Sequence, residues 1–241
     1  MNNFKIRCAA FCIVSAVAVN GFASNTTIAQ EQDIGSIQAE YSLEYPDGSR
    51  LKQKPTEVRI VTAEQMQKSV GSKIALGVLL FAFTGGTGFS GSSKDNMNGA
   101  TIDALEDRSN IQITDPDALA ARLQAQVNDA LKASAEPPAK SFTKPLTVAG
   151  GMTSLIYESL TGDEAGLYRL KTDWVVYKRK ESFSIFGPFT FVVDCGNQST
   201  KPLSQKDWAE NNYAMVKTEM DATIATCEQK VLAAVPALLK D

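Results

Sequence analysis

The sequence contains no histidine. That single absence removes Ser-His-Asp and Cys-His catalysis, histidine-based zinc sites and imidazole general bases. Basic charge is also scarce: 24 Lys and Arg stand against 27 Asp and Glu, a formal net charge of −3. With no basic stripe to neutralise phosphates, nucleic acid is not an expected partner. Long hydrophobic runs are missing too: the two apolar stretches, 8–19 and 74–83, both fall well short of the roughly 20 residues needed to span a bilayer. Cysteine is limited to four positions, 8, 12, 195 and 227, with no C-x-x-C spacing that would lower a thiol pKa.

What is present begins with a targeting pattern. Lys5 and Arg7 precede an uncharged, mostly apolar stretch at 8–19, and small residues follow at Gly21, Ala23 and Ser24. That order is expected of a secretory signal peptide, residues 1–23, cleaved after Ala23. The apolar stretch is too short to span a bilayer, and an uncleaved membrane anchor is the alternative to cleavage. Neither Cys8 nor Cys12 has the small preceding residue that lipid attachment needs, since Arg7 and Phe11 stand there. Removal of 1–23 takes the formal charge to −5 and leaves two cysteines. In an oxidising compartment, periplasmic or extracellular, Cys195 and Cys227 are expected to form a disulfide.

The remaining chain reads as a polar leader, 24–35, followed by one α+β domain, 36–241, with a possible subdivision at a proline-containing linker, 134–145. Ile37, Ala39, Tyr41, Leu43 and Tyr45 alternate, Pro46-Asp47-Gly48 is turn chemistry, and Leu51 with 58–61 suggests a returning strand, hence an opening β-hairpin. Thr62 and Gln65 fit a capping box. The helix expected after them carries Met66, Val70, Ile74, Leu76 and Leu80. Its part from 74 to 83 is apolar on every side, Ile74 and Phe83 included, so it is either a buried core helix or a membrane-inserting segment. Asp115-Pro116 opens a second helix with an inward stripe of Leu119, Leu123, Val127 and Leu131.

Residues 146–194 read as β-structure. Leu155 to Leu160 is a short strand candidate, and Tyr168, Leu170, Thr172, Trp174 and Val176 alternate along another. A partner from Phe183 to Val193 is interrupted at Gly187-Pro188, as at a bulge or sheet edge. The tip between these two strands, Lys178, Arg179 and Lys180, is basic. A last helix starts near Ser204, with Asp207 at its third position. Its stripe of Trp208, Val216, Met220, Ile224, Cys227 and Val231 points Cys227 toward Cys195. The expected fold is therefore α+β: an antiparallel sheet of about five or six strands packed by two or three helices, one of them apolar all round.

Motifs with chemistry fail on context. Gly86, Gly88 and Gly91 satisfy G-x-G-x-x-G, but a helix precedes them where a dinucleotide site needs a strand. Asp95, Asn96, Asn98, Asp103, Glu106 and Asp107 gather oxygen ligands around Gly99, yet Lys94 occupies the first ligand position of an EF-hand alignment. Ser49/Lys52 and Ser141/Lys144 match S-x-x-K without a helix under the serine and without the companion S-D-N and K-T-G elements. No cofactor and no metal is implied. The expected function is a non-enzymatic exported protein that binds a protein or envelope component. Its candidate contacts are the basic tip, Lys178, Arg179 and Lys180, and the glycine-rich loop, Gly86, Gly88, Phe89 and Gly91. Two alternatives stand beside it: a membrane-associated protein inserting residues 74–90, and a histidine-independent hydrolase using carboxylates or a Ser-Lys pair. The oligomeric state is not legible.

Overall fold

A computed structural model of the chain describes residues 35–65, 99–103, 105–138, 140–158, 166–182 and 187–240. The strict alternation that begins at Tyr168 produces the longest strand, Leu167–Arg179, which pairs antiparallel with Leu146–Tyr157. In chain order the strands are β1 (Ala39–Ser42), β2 (Arg59–Val61), β3 (Ala100–Thr101), β4 (Leu146–Tyr157), β5 (Leu167–Arg179), β6 (Phe189–Asp194), β7 (Asn197–Gln198) and β8 (Leu203–Ser204). All eight belong to one sheet.

That sheet corrects the expectation of an antiparallel one of five or six strands, in both its size and its pairing. β1 and β2 both run parallel to β4, β1 along its first half (Ala39↔Leu146) and β2 along its second (Ile60↔Leu155). The opening hairpin therefore survives only as a tight turn. Glu44 bridges Arg50, and the Gly48 amide donates to the Tyr45 carbonyl at 3.0 Å. β3 closes this flank antiparallel to β2. On the far side of β5 the chain from 189 to 204 forms a strand in three pieces, β6, β7 and β8, each antiparallel to a different stretch of β5. Of the strand expected at 155–160, residues 155–157 are the end of the longer β4, and 159 and 160 lie outside the described residues.

β4 changes neighbour at a bulge. Its register against β5 slips between Gly150 and Thr153. Gly150 and Gly151 hold φ of +85° and +93°, the left-handed region that side chains disfavour. A Cβ on Gly150 would sit 1.9 Å from the Asp173 carbonyl oxygen, and one on Gly151 would strike the Trp174 ring at 2.5 Å. Only glycine allows the two strands to approach this closely.

The helices share one face of the sheet. α1 (Pro116–Lys132) buries Leu119, Leu123, Val127 and Leu131 against β1, β4 and the second helix. α2 (Gln205–Leu238) starts on a capping box in which Ser204 Oγ accepts from the Asp207 amide and Asp207 accepts from the Ser204 amide. Trp208, Val216, Met220, Ile224, Cys227 and Val231 of α2 are buried, so the expected stripe is the packing surface. The helix is interrupted at 211–213, where Asn211, Asn212 and Tyr213 take φ of 49°, 58° and 62°. Asn212 there donates to the Asp107 carbonyl at 2.8 Å, and Asn110 donates to the Asn212 carbonyl at 2.9 Å. The Thr62/Gln65 capping box is present in both directions. The apolar helix expected beyond it lies outside the described residues, as do the whole 74–90 segment and its glycine-rich loop. Among the described residues no helix is long and apolar enough to cross a membrane.

Candidate functional site

The disulfide is present: Cys195, just beyond β6, joins Cys227 of α2, 32 positions along the chain. Both cysteines are buried, and the bond fastens the broken outer strand to the helix that covers it.

The basic tip is not the three-cation surface its sequence suggests. Lys178 continues the inward alternation of Trp174 and Val176 and is fully buried. Its ammonium meets Glu181 at 2.8 Å, donates to the Arg179 carbonyl at 3.0 Å and lies 5.0 Å from the centre of the Phe142 ring. Partial burial pushes the Glu181 carboxyl up, but Lys178, the Thr143 hydroxyl and the Thr143 and Lys144 amides outweigh it and hold the pKa at about 2. Lys178 is thus an internal tie between β5 and the segment leading into β4. Arg179 is exposed, faces Glu44 at 3.5 Å and stacks on Phe189 at 5.2 Å. Lys180 is half-buried, its amide donating to the Pro188 carbonyl. Gly86, Gly88, Phe89 and Gly91 lie outside the described residues.

On the face of the sheet away from the helices, the excursion between β1 and β2 packs over the bulge. Tyr45 donates from its hydroxyl to Asp173 at 2.6 Å, Tyr41 to the Gly150 carbonyl at 3.1 Å and Tyr177 to the Glu44 carbonyl at 3.0 Å. Burial first, then the Asp173 charge, raises Tyr41 to about 12 and Tyr45 further still, so both remain protonated donors. Lys171, on the same face, is lowered by burial against the opposing pull of Asp173 and Asp194. Next to the tip this face carries a hollow lined by Glu40, Glu44, Lys144, Thr147, Tyr177 and Arg179, a surface of both charge signs. A second hollow beside the excursion is lined by Lys54, Glu57, Arg59 and Met152 among others.

None of this assembles a recognisable catalytic pair. Ser49 of the first S-x-x-K is bound within its turn, donating to Asp47, and Ser141 of the second precedes β4 on a loop. Glu57, Asp107 and Asp115 are held below the usual carboxylate range, by Arg108, by the Ser109 amide and hydroxyl, and by Lys54 respectively. These are the reverse of a raised general acid. Among the described residues no three His, Cys, Asp or Glu side chains group as metal ligands would. Of the proposed calcium ligands, Asp95, Asn96 and Asn98 lie outside the described residues.

Sequence reasoning missed two features here. The inward phase of Lys178 was readable, because Tyr168 to Val176 fixes the parity two residues earlier. The exposed edge of β6 was readable only as the apolar string Phe189, Phe191, Val192, Val193; which of them face solvent depends on pairing. Compared with protein-family models, curated proteins and solved structures, the chain matches none of them.

Proposed function

We propose that this chain is an exported, non-enzymatic protein that works in an oxidising compartment and binds a protein or envelope component through the open end of its sheet. The disulfide between Cys195 and Cys227 is the observation that carries the reading, because such bonds persist in oxidising compartments. The N-terminal charge, apolar stretch and small-residue site at 21–24 agree with it. The contact surface is the mixed-charge hollow beside Arg179, shallow and two-signed as protein-contact rims are, rather than a deep apolar pocket.

Two experiments test the reading. Expression of the full chain with fractionation, N-terminal mass analysis and a non-reducing gel is expected to find a soluble exported form beginning at Ser24 with the disulfide intact. A cytoplasmic form with reduced cysteines overturns export. A photo-crosslinking residue at Arg179 is expected to give discrete adducts in cells, while the same probe at Met215 gives none. Equal behaviour at both positions overturns the assigned surface.

A further inference from the structure

We propose that the outer edge of β6 pairs with the β6 of a second copy of this chain, antiparallel, with Val192 on the two-fold axis. The inference goes beyond the binding reading above and does not depend on export.

β6 ends the sheet on its side, with no strand beyond it among the described residues. The ladder tells which groups face outward. The Cys195 amide donates to the Trp174 carbonyl at 2.9 Å, so the pairs 195/174, 193/176 and 191/178 bond inward. The main-chain groups of Val192 and Asp194 then face away from β5. Lys230 of α2 donates to the Asp194 carbonyl at 3.0 Å. The Val192 groups have no partner among the described residues. The Val192 side chain is 49% exposed, the highest value among the exposed large hydrophobic residues, Val192, Met215 and Leu239. An unblunted apolar edge of this kind is a template for another strand.

The occupant follows from the edge's own complementarity. β6 starts beside Arg179 and Lys180 and ends at Asp194. An antiparallel copy sets the acidic end of each strand beside the basic end of the other, whereas a parallel copy stacks like on like. Centring on Val192 places Val192 against itself and Thr190 against the partner copy's Asp194 position. Such a two-fold contact is closed, so it gives a dimer and not a fibre.

The test is sedimentation equilibrium on the purified protein, with cysteine cross-linking as its geometric arm. A dimer at high micromolar concentration is expected, weakened roughly tenfold or more in V192K, which sets like charges opposite each other. V192C is expected to form an intermolecular disulfide readily, because directly opposed residues lie about 5.5 Å apart, within disulfide reach. M215C, comparably exposed on α2, is expected to cross-link far more slowly. A monomer at every concentration overturns the proposal. So does a dimer indifferent to V192K, or V192C cross-linking no faster than M215C.

Discussion

The β4–β5 ribbon has two flanks, and the chain treats them in opposite ways. On one side β1 lies parallel to β4, and its outward main-chain groups are capped by helix α1. Asn128 accepts from the Ile37 amide at 2.8 Å and donates to the Ile37 carbonyl at 3.0 Å, while Gln124 accepts from the Ala39 amide at 2.7 Å. On the other side the outer strand is chopped into β6, β7 and β8. Its breaks are held by side chains: Asp194 accepts from the Gly196 amide, and Arg169 donates to the Ser199 and Thr200 carbonyls. The first flank is covered and the second is interrupted, two of the standard ways to suppress edge pairing. Among the described residues the stretch of β6 around Val192 stays open on the interrupted flank, and there the two treatments differ in consequence. α2 begins on the interrupted flank and its left-handed turn docks on the 105–112 loop beyond β3, so it spans both.

The contrast can be broken first at the bulge where β4 exchanges β1 for β2. Gly150→Ala is expected to destabilise the fold by about 3–5 kcal/mol in urea titration, since positive φ and a backbone clash add. A value below about 1 kcal/mol would mean that the bulge relaxes freely. Next comes the fastening of the interrupted flank. Replacing Cys195 and Cys227 together by serine is expected to lose about 3–4 kcal/mol, the loop-closure value for a separation of 32. The loss should bring faster amide exchange in β6 while β1 is unchanged.

The third concerns the tie at the tip. Glu181→Gln leaves the buried Lys178 ammonium without its carboxylate and is expected to lose about 2–3 kcal/mol, below the fully buried range because Glu181 is a quarter exposed. The same pair fixes a pH dependence. The folded Glu181 pKa, about 2, lies below its unfolded value, so its contribution is present above the unfolded pKa and is lost as pH falls toward 2. The wild type should therefore lose more stability than Glu181→Gln between about pH 5 and pH 2; parallel curves would contradict the assignment. The smallest effect is expected on the covered flank, where Asn128→Leu should cost about 1–2 kcal/mol by stranding the Ile37 amide and carbonyl.

The legible elements were those with local signals. The Asp115-Pro116 start, the Leu119 to Leu131 stripe and the Ser204/Asp207 box each sit within one helix, and each stands in the structure where the residues put it. The disulfide was legible because two of the four cysteines lie beyond residues 1–23, where the targeting pattern sits, and one of these two faces inward on α2. The parallel pairing of β1 and β2 was not, since strands of four and three residues carry no register signal and their partner lies about a hundred residues away. Charge misled at the tip: three basic residues in a row read as an exposed contact surface, although the period of two carries the first of them inside. The partner that makes this tolerable, Glu181 with Thr143 behind it, is assembled only by the fold.

The most direct measurement is residue-resolved hydrogen exchange on the protein at concentrations low enough to keep it monomeric. Slow exchange is expected at the Ile37 and Ala39 amides, capped by Asn128 and Gln124, and fast exchange at Val192, with protection of Val192 rising as concentration is increased. Ile37 and Ala39 exchanging as fast as Val192, or Val192 protected at the lowest concentration, would contradict the distinction between a covered and an open edge.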